Sequence, residues 1–281
     1  MRAHLLAVAL LSVAVLSGCA TGSMRRADVA QKPTSLSGVT VESSDPRLAA
    51  AILAEAVRPA ADSSLQVARE YVRLGVLDAA FKCTERALKR EPHNAAAHDL
   101  TARIWRDWGI QEKALVHAHR AIYYAPEWSG AYNTLGTVLD AIGRRDEART
   151  AFVRAFELDP EASWALSNLC YLEFRAGNLD EARSRCEAAV RASPALAAAH
   201  NNLALTHAAS GDMAAARGAF LEAGDAATAS YNIGILYLAE GRYAEAANAF
   251  QQAIDARPAF TAAKTRAHEA RMKALVADDR R

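Results

Sequence analysis

The chain has 281 residues with 33 basic and 32 acidic side chains, a formal net charge of +1. That balance leaves no electropositive footprint for nucleic acid. Hydrophobic residues make up 52%, which excludes a wholly disordered chain, and 67 residues are alanine. Alanine suits helices and close helix–helix contact and makes poor strands, so an all-α chain is expected rather than a β-sandwich or barrel.

Residues 1–18 read as a cleaved export signal. Arg2 supplies the positive start and Leu5 to Leu16 a short apolar run. The run is shorter than the roughly 20 residues of a membrane-spanning helix. Leu16-Ser17-Gly18-Cys19 follows and is similar to the lipobox of bacterial lipoproteins. The resemblance implies lipidation of Cys19 on sulfur, with Cys19 as the mature N-terminus. Ala20 stands where an inner-membrane retention signal places Asp, which implies the outer membrane, facing the periplasm. Residues 19–44 then read as the lipidated cysteine and a flexible tether, with a span of about 25–30 Å. At Asp45-Pro46 an N-cap and a first-turn proline open a short helix over 45–60, with Leu48, Ile52, Leu53 and Val57 on one side.

A 34-residue period governs the rest. Gly75, Gly109, Gly143, Gly177 and Gly211 keep it, and Gly241 follows 30 residues on. Alanines repeat in the same register at Ala80, Ala114, Ala148, Ala182, Ala216 and Ala246. A second ladder runs Ala87, Ala121, Ala155, Ala189, Ala223 and Ala253, and prolines close units at Pro92, Pro126, Pro160, Pro194 and Pro258. The pattern resembles the tetratricopeptide repeat over residues 61–260, best at Tyr132, Leu135, Gly136, Gly143, Ala148, Phe152, Ala155 and Pro160. The resemblance implies an all-α, right-handed superhelix, an α-solenoid of about six helix–turn–helix units. Aromatics such as Trp105, Tyr132, Phe152 and Phe220 are expected to fill the gaps to following units. The fifth unit enters the sixth four residues early at Gly224-Asp225 and lacks its proline, so a shortened second helix or connection is expected there. Residues 261–281 read as a polar capping helix.

No Gly-rich phosphate loop, GxSxG elbow or HExxH occurs. The array leaves flanks too short for a catalytic domain, so no enzymatic activity is expected. No metal is expected and no cofactor beyond the covalent lipid. His117 and His119 are two apart on a helix and do not share a face; His200 and His207 read as structural. Cys170 and Cys186 face each other across the fourth unit. A disulfide is one reading, and two buried thiols are the simpler one. Cys83 reads as a structural thiol.

In the tetratricopeptide family, ligands lie mostly in the groove lined by the first helix of each unit. That implies a basic groove end at Arg69, Arg73, Arg103 and Arg106, tempered by Asp62, Asp99 and Asp107. It also implies an apolar stretch with Trp164, Tyr171, Phe174, Leu205, Tyr231 and Ile235. Asn168, Asn202 and Asn232 share one repeat position there, with Asn133 and Asn201 one place earlier. Asparagine offers both a donor and an acceptor to a peptide bond. The expectation is therefore a non-enzymatic, lipid-anchored scaffold of the bacterial envelope that binds a segment of a partner protein. Narrower alternatives are a pilus or secretion-system assembly factor, similar to type IV pilotins or the tight-adherence pilus lipoprotein, and an adaptor for peptidoglycan hydrolases. A self-associating structural protein is the remote one. No nucleic acid and no small-molecule substrate is expected as partner.

Overall fold

Helix α1 (Pro46–Val57) starts where the Asp45 carboxylate accepts from the backbone N–H groups of Arg47 (3.1 Å) and Leu48 (3.0 Å). Each accepted bond satisfies a donor that the first helical turn leaves unpaired. The computed structural model describes residues 34–36, 39–41 and 45–278. The expected export signal, Cys19 and most of the tether lie outside the described residues. Within the tether, β1 (Thr34–Leu36) and β2 (Val39–Val41) form a short antiparallel pair, Ser35 opposite Thr40.

The chain divides into two compact units at Pro160 and Glu161. The first holds α1 and three helical hairpins. These are α2 (Ala61–Arg73) with α3 (Leu77–Arg90), α4 (Ala95–Asp107) with α5 (Gln111–Tyr124), and α6 (Ser129–Ala141) with α7 (Arg145–Leu158). Leu48 and Ala51 bury α1 against a core of Leu65, Val67, Ala68, Ala80, Ala87 and Ile104. Glu55 secures that seat by taking Arg86 (3.0 Å) and Arg90 (3.5 Å) of α3. Its carboxyl is held below the usual range by hydrogen bonds from Ser64 and Arg86, which outweigh its burial.

The second unit holds α8 (Ser163–Ala176) with α9 (Leu179–Ala192), α10 (Ala197–Ala209) with α11 (Met213–Ala223), and α12 (Ala226–Ala239) with α13 (Tyr243–Ala256). Helix α14 (Thr261–Asp278) packs on α13 through the fully buried Ala263, Ala267 and Ala270. Helix α11 has 11 residues where α9 and α13 have 14. The chain turns at Gly224, and Asp225 caps α12 by accepting from the Thr228 N–H (2.8 Å). Arg257 pairs with the same Asp225.

First helices end alike. At Gly75, φ is +73° and the following Val76 N–H donates back to Tyr71 O at 2.8 Å. That left-handed turn suits glycine, which has no Cβ to clash. Second helices stop before proline: Glu91, which precedes Pro92, is extended at φ −133° and ψ 84°.

Inside a hairpin, the eighth and twenty-fourth repeat positions meet. The Phe152 ring lies on Gly136 and the Phe250 ring on Gly234, so close that an added Cβ would stand 2.5 and 2.7 Å from them. Phe152 therefore fills its own hairpin, which corrects the expectation that it bridges to the next unit. Among the described residues, no helix is long and apolar enough to cross a membrane.

Candidate functional site

In the second unit, the inner face of the first helices carries the residues expected to bind. Trp164, Asn168 and Tyr171 on α8 are half-buried, as are Asn201 and Asn202 on α10 and Asn232 on α12. Phe174, Leu205, Tyr231 and Ile235 are buried and belong to the core of this unit. Tyr231 lies 5.5 Å from the Phe250 ring and 5.0 Å from the Phe260 ring, centroid to centroid. These four therefore pack helix against helix instead of forming the open apolar wall expected of them. The physical cause is the close approach of neighbouring helices, which turns groove positions into core positions.

The asparagines divide by what they bond. Asn202 donates through Nδ2 to Ser167 O (3.0 Å) and Ser167 Oγ (3.1 Å), tying α10 to α8. The side chains of Asn201 and Asn232 make no hydrogen bond among the described residues. Each thus keeps an amide donor and an amide acceptor for a ligand. The ladder is not evenly spaced: α8 and α10 pack closely, whereas α10 and α12 do not, because the short α11 intervenes.

Cys170 and Cys186 are joined by a disulfide, with Cα atoms 5.2 Å apart and both residues fully buried. Two thiols were the simpler expectation; the structure replaces it with the bond. The pair occupies the eighth and twenty-fourth positions of its hairpin, the contact made by Gly136 and Phe152 in the third repeat. Small residues there bring the helices to disulfide range. Cys83 is a buried free thiol, its pKa raised by burial.

In the first unit, the four basic residues have different fates. Arg73 is spent on Asp45 (2.7 Å) and Glu70 (2.6 Å), and Arg106 on Asp107 (2.7 Å) and Thr137 Oγ1 (3.0 Å). Arg69 and Arg103 are exposed and make no ion pair within 4 Å among the described residues. Asn133 is half-buried on α6. Asp99, read from the sequence only as a tempering charge, is in fact buried beside these arginines. Its position repeats that of Asn133, which marks the inner face but not the depth. No group of three or more His, Cys, Asp or Glu side chains among the described residues is placed to hold a metal.

Away from the groove, His98 and His117 meet at 3.0 Å between their Nδ1 atoms, and His98 Nε2 lies 3.0 Å from Pro92 O. The carbonyl accepts only, so His98 Nε2 carries the proton and His98 Nδ1 accepts from His117. Burial pushes both pKa values down, His117 to about 4 from 6.5, with Arg120 adding repulsion to each and His93 to His98. Histidines kept neutral by folding add full stability above about pH 6.5 and lose it as pH falls toward their folded values. Asp99 runs the opposite way, since burial raises its pKa. The melting temperature is expected to fall by about 5 °C between pH 7 and pH 5, and a His117→Leu variant to lose most of that dependence. Identical pH profiles for the two proteins would refute the assignment. His200 repeats the local pattern, its Nε2 2.9 Å from Pro194 O.

Tetratricopeptide-repeat family models match residues 133–196 and 171–230, and a second such model residues 227–260. No curated protein matches the chain in sequence. Among solved structures, the chain is similar to one from the APC/C hetero-tetramer Cut9–Hcn1, at 17% identity and a TM-score of 0.65. The likeness covers 80% of this chain but only 46% of that one, so the chain spans less than half of that relative. It is similar to PilW, described as a widely conserved type IV pilus biogenesis factor, at 22% identity and a TM-score of 0.61 over 73% of this chain and 97% of that one. It is also similar to PilF of Pseudomonas aeruginosa, at 19% identity and a TM-score of 0.57 over 76% and 97%. At these identities the likeness establishes fold alone. Residues 133–260 are thus tetratricopeptide repeats, and the chain carries the helical solenoid fold built from such units.

Proposed function

We propose that this chain is a non-enzymatic, lipid-anchored scaffold of the bacterial envelope that holds a segment of a partner protein in its groove. The observation that carries the reading is the pair Asn201 and Asn232, half-buried amides whose side chains make no intramolecular hydrogen bond among the described residues, in the same unit as the half-buried Trp164 and Tyr171. Such amides pair with a backbone regardless of its sequence, and the aromatic faces supply burial. The lipobox-like Leu16-Ser17-Gly18-Cys19 supports the anchor, and Ala20 the outer membrane.

A narrower reading is assembly of a pilus. A leader with a lipobox, a tether and a repeat array together suit such a factor, and the pilus proteins named above have the same fold.

In intact cells, a photocrosslinker at Asn232 is expected to capture a discrete partner, and Asn201→Ala with Asn232→Ala to reduce its recovery about tenfold. Unchanged recovery in the double variant would overturn the groove reading. Cys19→Ser is expected to abolish labelling by a palmitate analogue; labelling that persists would overturn the anchor.

A further inference from the structure

Between the second helices α3 and α5 lies a cleft of about 690 Å³. Helix α4, which packs against both, supplies its base with Thr101 and Trp105. Phe81 and Leu88 of α3 and Val116 of α5 make its sides apolar, and His117 of α5 completes the wall. The volume suits a small organic ligand or a large side chain. The Trp105 ring is held before anything arrives. Phe81 meets it edge-on at 4.9 Å, Trp108 at 5.1 Å, and Lys113 Nζ stands 4.3 Å from its centroid. A ring fixed in advance loses little freedom on binding.

His117 gives this apolar wall a directed acceptor. Its Nδ1–H is committed to His98, so Nε2 carries a lone pair. Burial keeps the imidazole neutral at pH 7. Among the described residues Nε2 meets no donor, and unlike Asp99 Oδ1 it is not closed off from solvent. The rim sets Glu85 and Glu112 against Lys89 and Lys113, so its charges cancel and nothing there selects an ion. The same cleft recurs one repeat on, between α5 and α7, with about 610 Å³. There Leu139 stands in place of Trp105 and Ala151 in place of His117. The repeat therefore builds the space. Trp105 and His117 add a fixed indole and a half-buried acceptor where the next cleft has aliphatic side chains.

We propose that this cleft binds a neutral phenol, either a free compound or the side chain of a tyrosine. The ring lies among Phe81, Trp105 and Val116, and its hydroxyl donates to His117 Nε2. A phenol stays uncharged below about pH 10, so it suits both the apolar sides and the balanced rim. It also brings the donor that Nε2 lacks, whereas a carboxylate brings acceptors alone.

The test titrates the full chain with 2-naphthol by calorimetry, with an expected Kd on the order of 100 μM. The probe 2-methoxynaphthalene keeps the rings without the donor, and is expected to bind at least about fivefold more weakly. In His117→Leu that preference is expected to disappear. Val116 is 50% exposed, so Val116→Glu keeps the fold and puts a charge into the cleft. It is expected to weaken both probes at least about tenfold. If His117→Leu fails to fold, the two probes on the wild type and Val116→Glu still decide. A pentapeptide with a central tyrosine, set against its phenylalanine counterpart, distinguishes the sources. Tighter binding of the tyrosine peptide than of 2-naphthol assigns the phenol to a protein, and the reverse order assigns it to a free compound. No binding by either phenol, equal affinity of the two naphthalene probes, or unchanged affinity in Val116→Glu overturns the proposal. Asn201→Ala with Asn232→Ala is expected to leave these affinities unchanged, so cleft and groove stand or fail separately.

Discussion

Breaking the Cys170–Cys186 bond is expected to destabilise residues 161–281 by about 3 kcal/mol, the loss for opening a loop of about 15 residues in the unfolded chain; the measured separation is 16. The neighbouring hairpins supply isosteric controls for the packing that remains. The second repeat places fully buried Ala102 and Ala118 at the same two positions. Cys170→Ala with Cys186→Ala therefore installs a pair that the fold already accommodates, and its loss reports chiefly the missing cross-link. Urea unfolding, followed by hydrogen exchange in α8 and α9, is expected to show the wild type with reductant matching the alanine pair. The alanine pair itself should not respond to reductant. A wild-type midpoint unmoved by complete reduction would show that the bond contributes nothing to the unit. The function of the groove bears on the same result: Asn168 and Tyr171 flank Cys170 on α8, so the bond steadies the helix that presents them.

Helix boundaries and hairpin pairing were legible because they rest on local, repeated chemistry. Gly75 marks a left-handed turn, Pro92 a helix stop, and Asp45 a cap, each readable without knowing what packs nearby. The fifth repeat was legible too, since a missing proline and an early Gly224 shorten α11. Depth was not legible. Tyr231 and Asn232 are adjacent in sequence and both read as groove residues, yet Tyr231 is 9% exposed and Asn232 half-buried. Which of them reaches solvent depends on how closely the next first helix approaches, and no repeat position encodes that distance. The same holds for Asp99. A lone aspartate reads as solvated, and its burial follows from the packing of α4 against the neighbouring helices, which its own position does not encode. The choice between bond and thiols at Cys170 turned on a few tenths of an ångström that spacing alone does not resolve.

Gly234→Val is expected to cost about 3 kcal/mol or more, lowering the melting temperature of the second unit by about 10 °C. A Cβ at Gly234 would stand 2.7 Å from Phe250 Cδ1 and Cε1 and 3.0 Å from Cζ. The Phe250 ring is fully buried and backed by Tyr231, so it has nowhere to swing. Two effects oppose each other for alanine at this site. The substitution gains about 1 kcal/mol of helix propensity but still forces the ring aside. The fifth repeat carries Ala204 and the buried Phe220 at the equivalent positions, so a hairpin can adjust to one methyl group; valine exceeds that allowance. Phe250→Leu in the Gly234→Val background is expected to return part of the loss, because a smaller side chain vacates the space of the ring. Gly218 in α11 supplies the opposite sign. Nothing stands within 4 Å of its Cβ position. Gly218→Ala is therefore expected to stabilise by about 0.5–1 kcal/mol through propensity alone. Melting curves of the four proteins separate the two causes: a Gly234→Val protein that melts with the wild type would mean that the ring does not rest on the glycine.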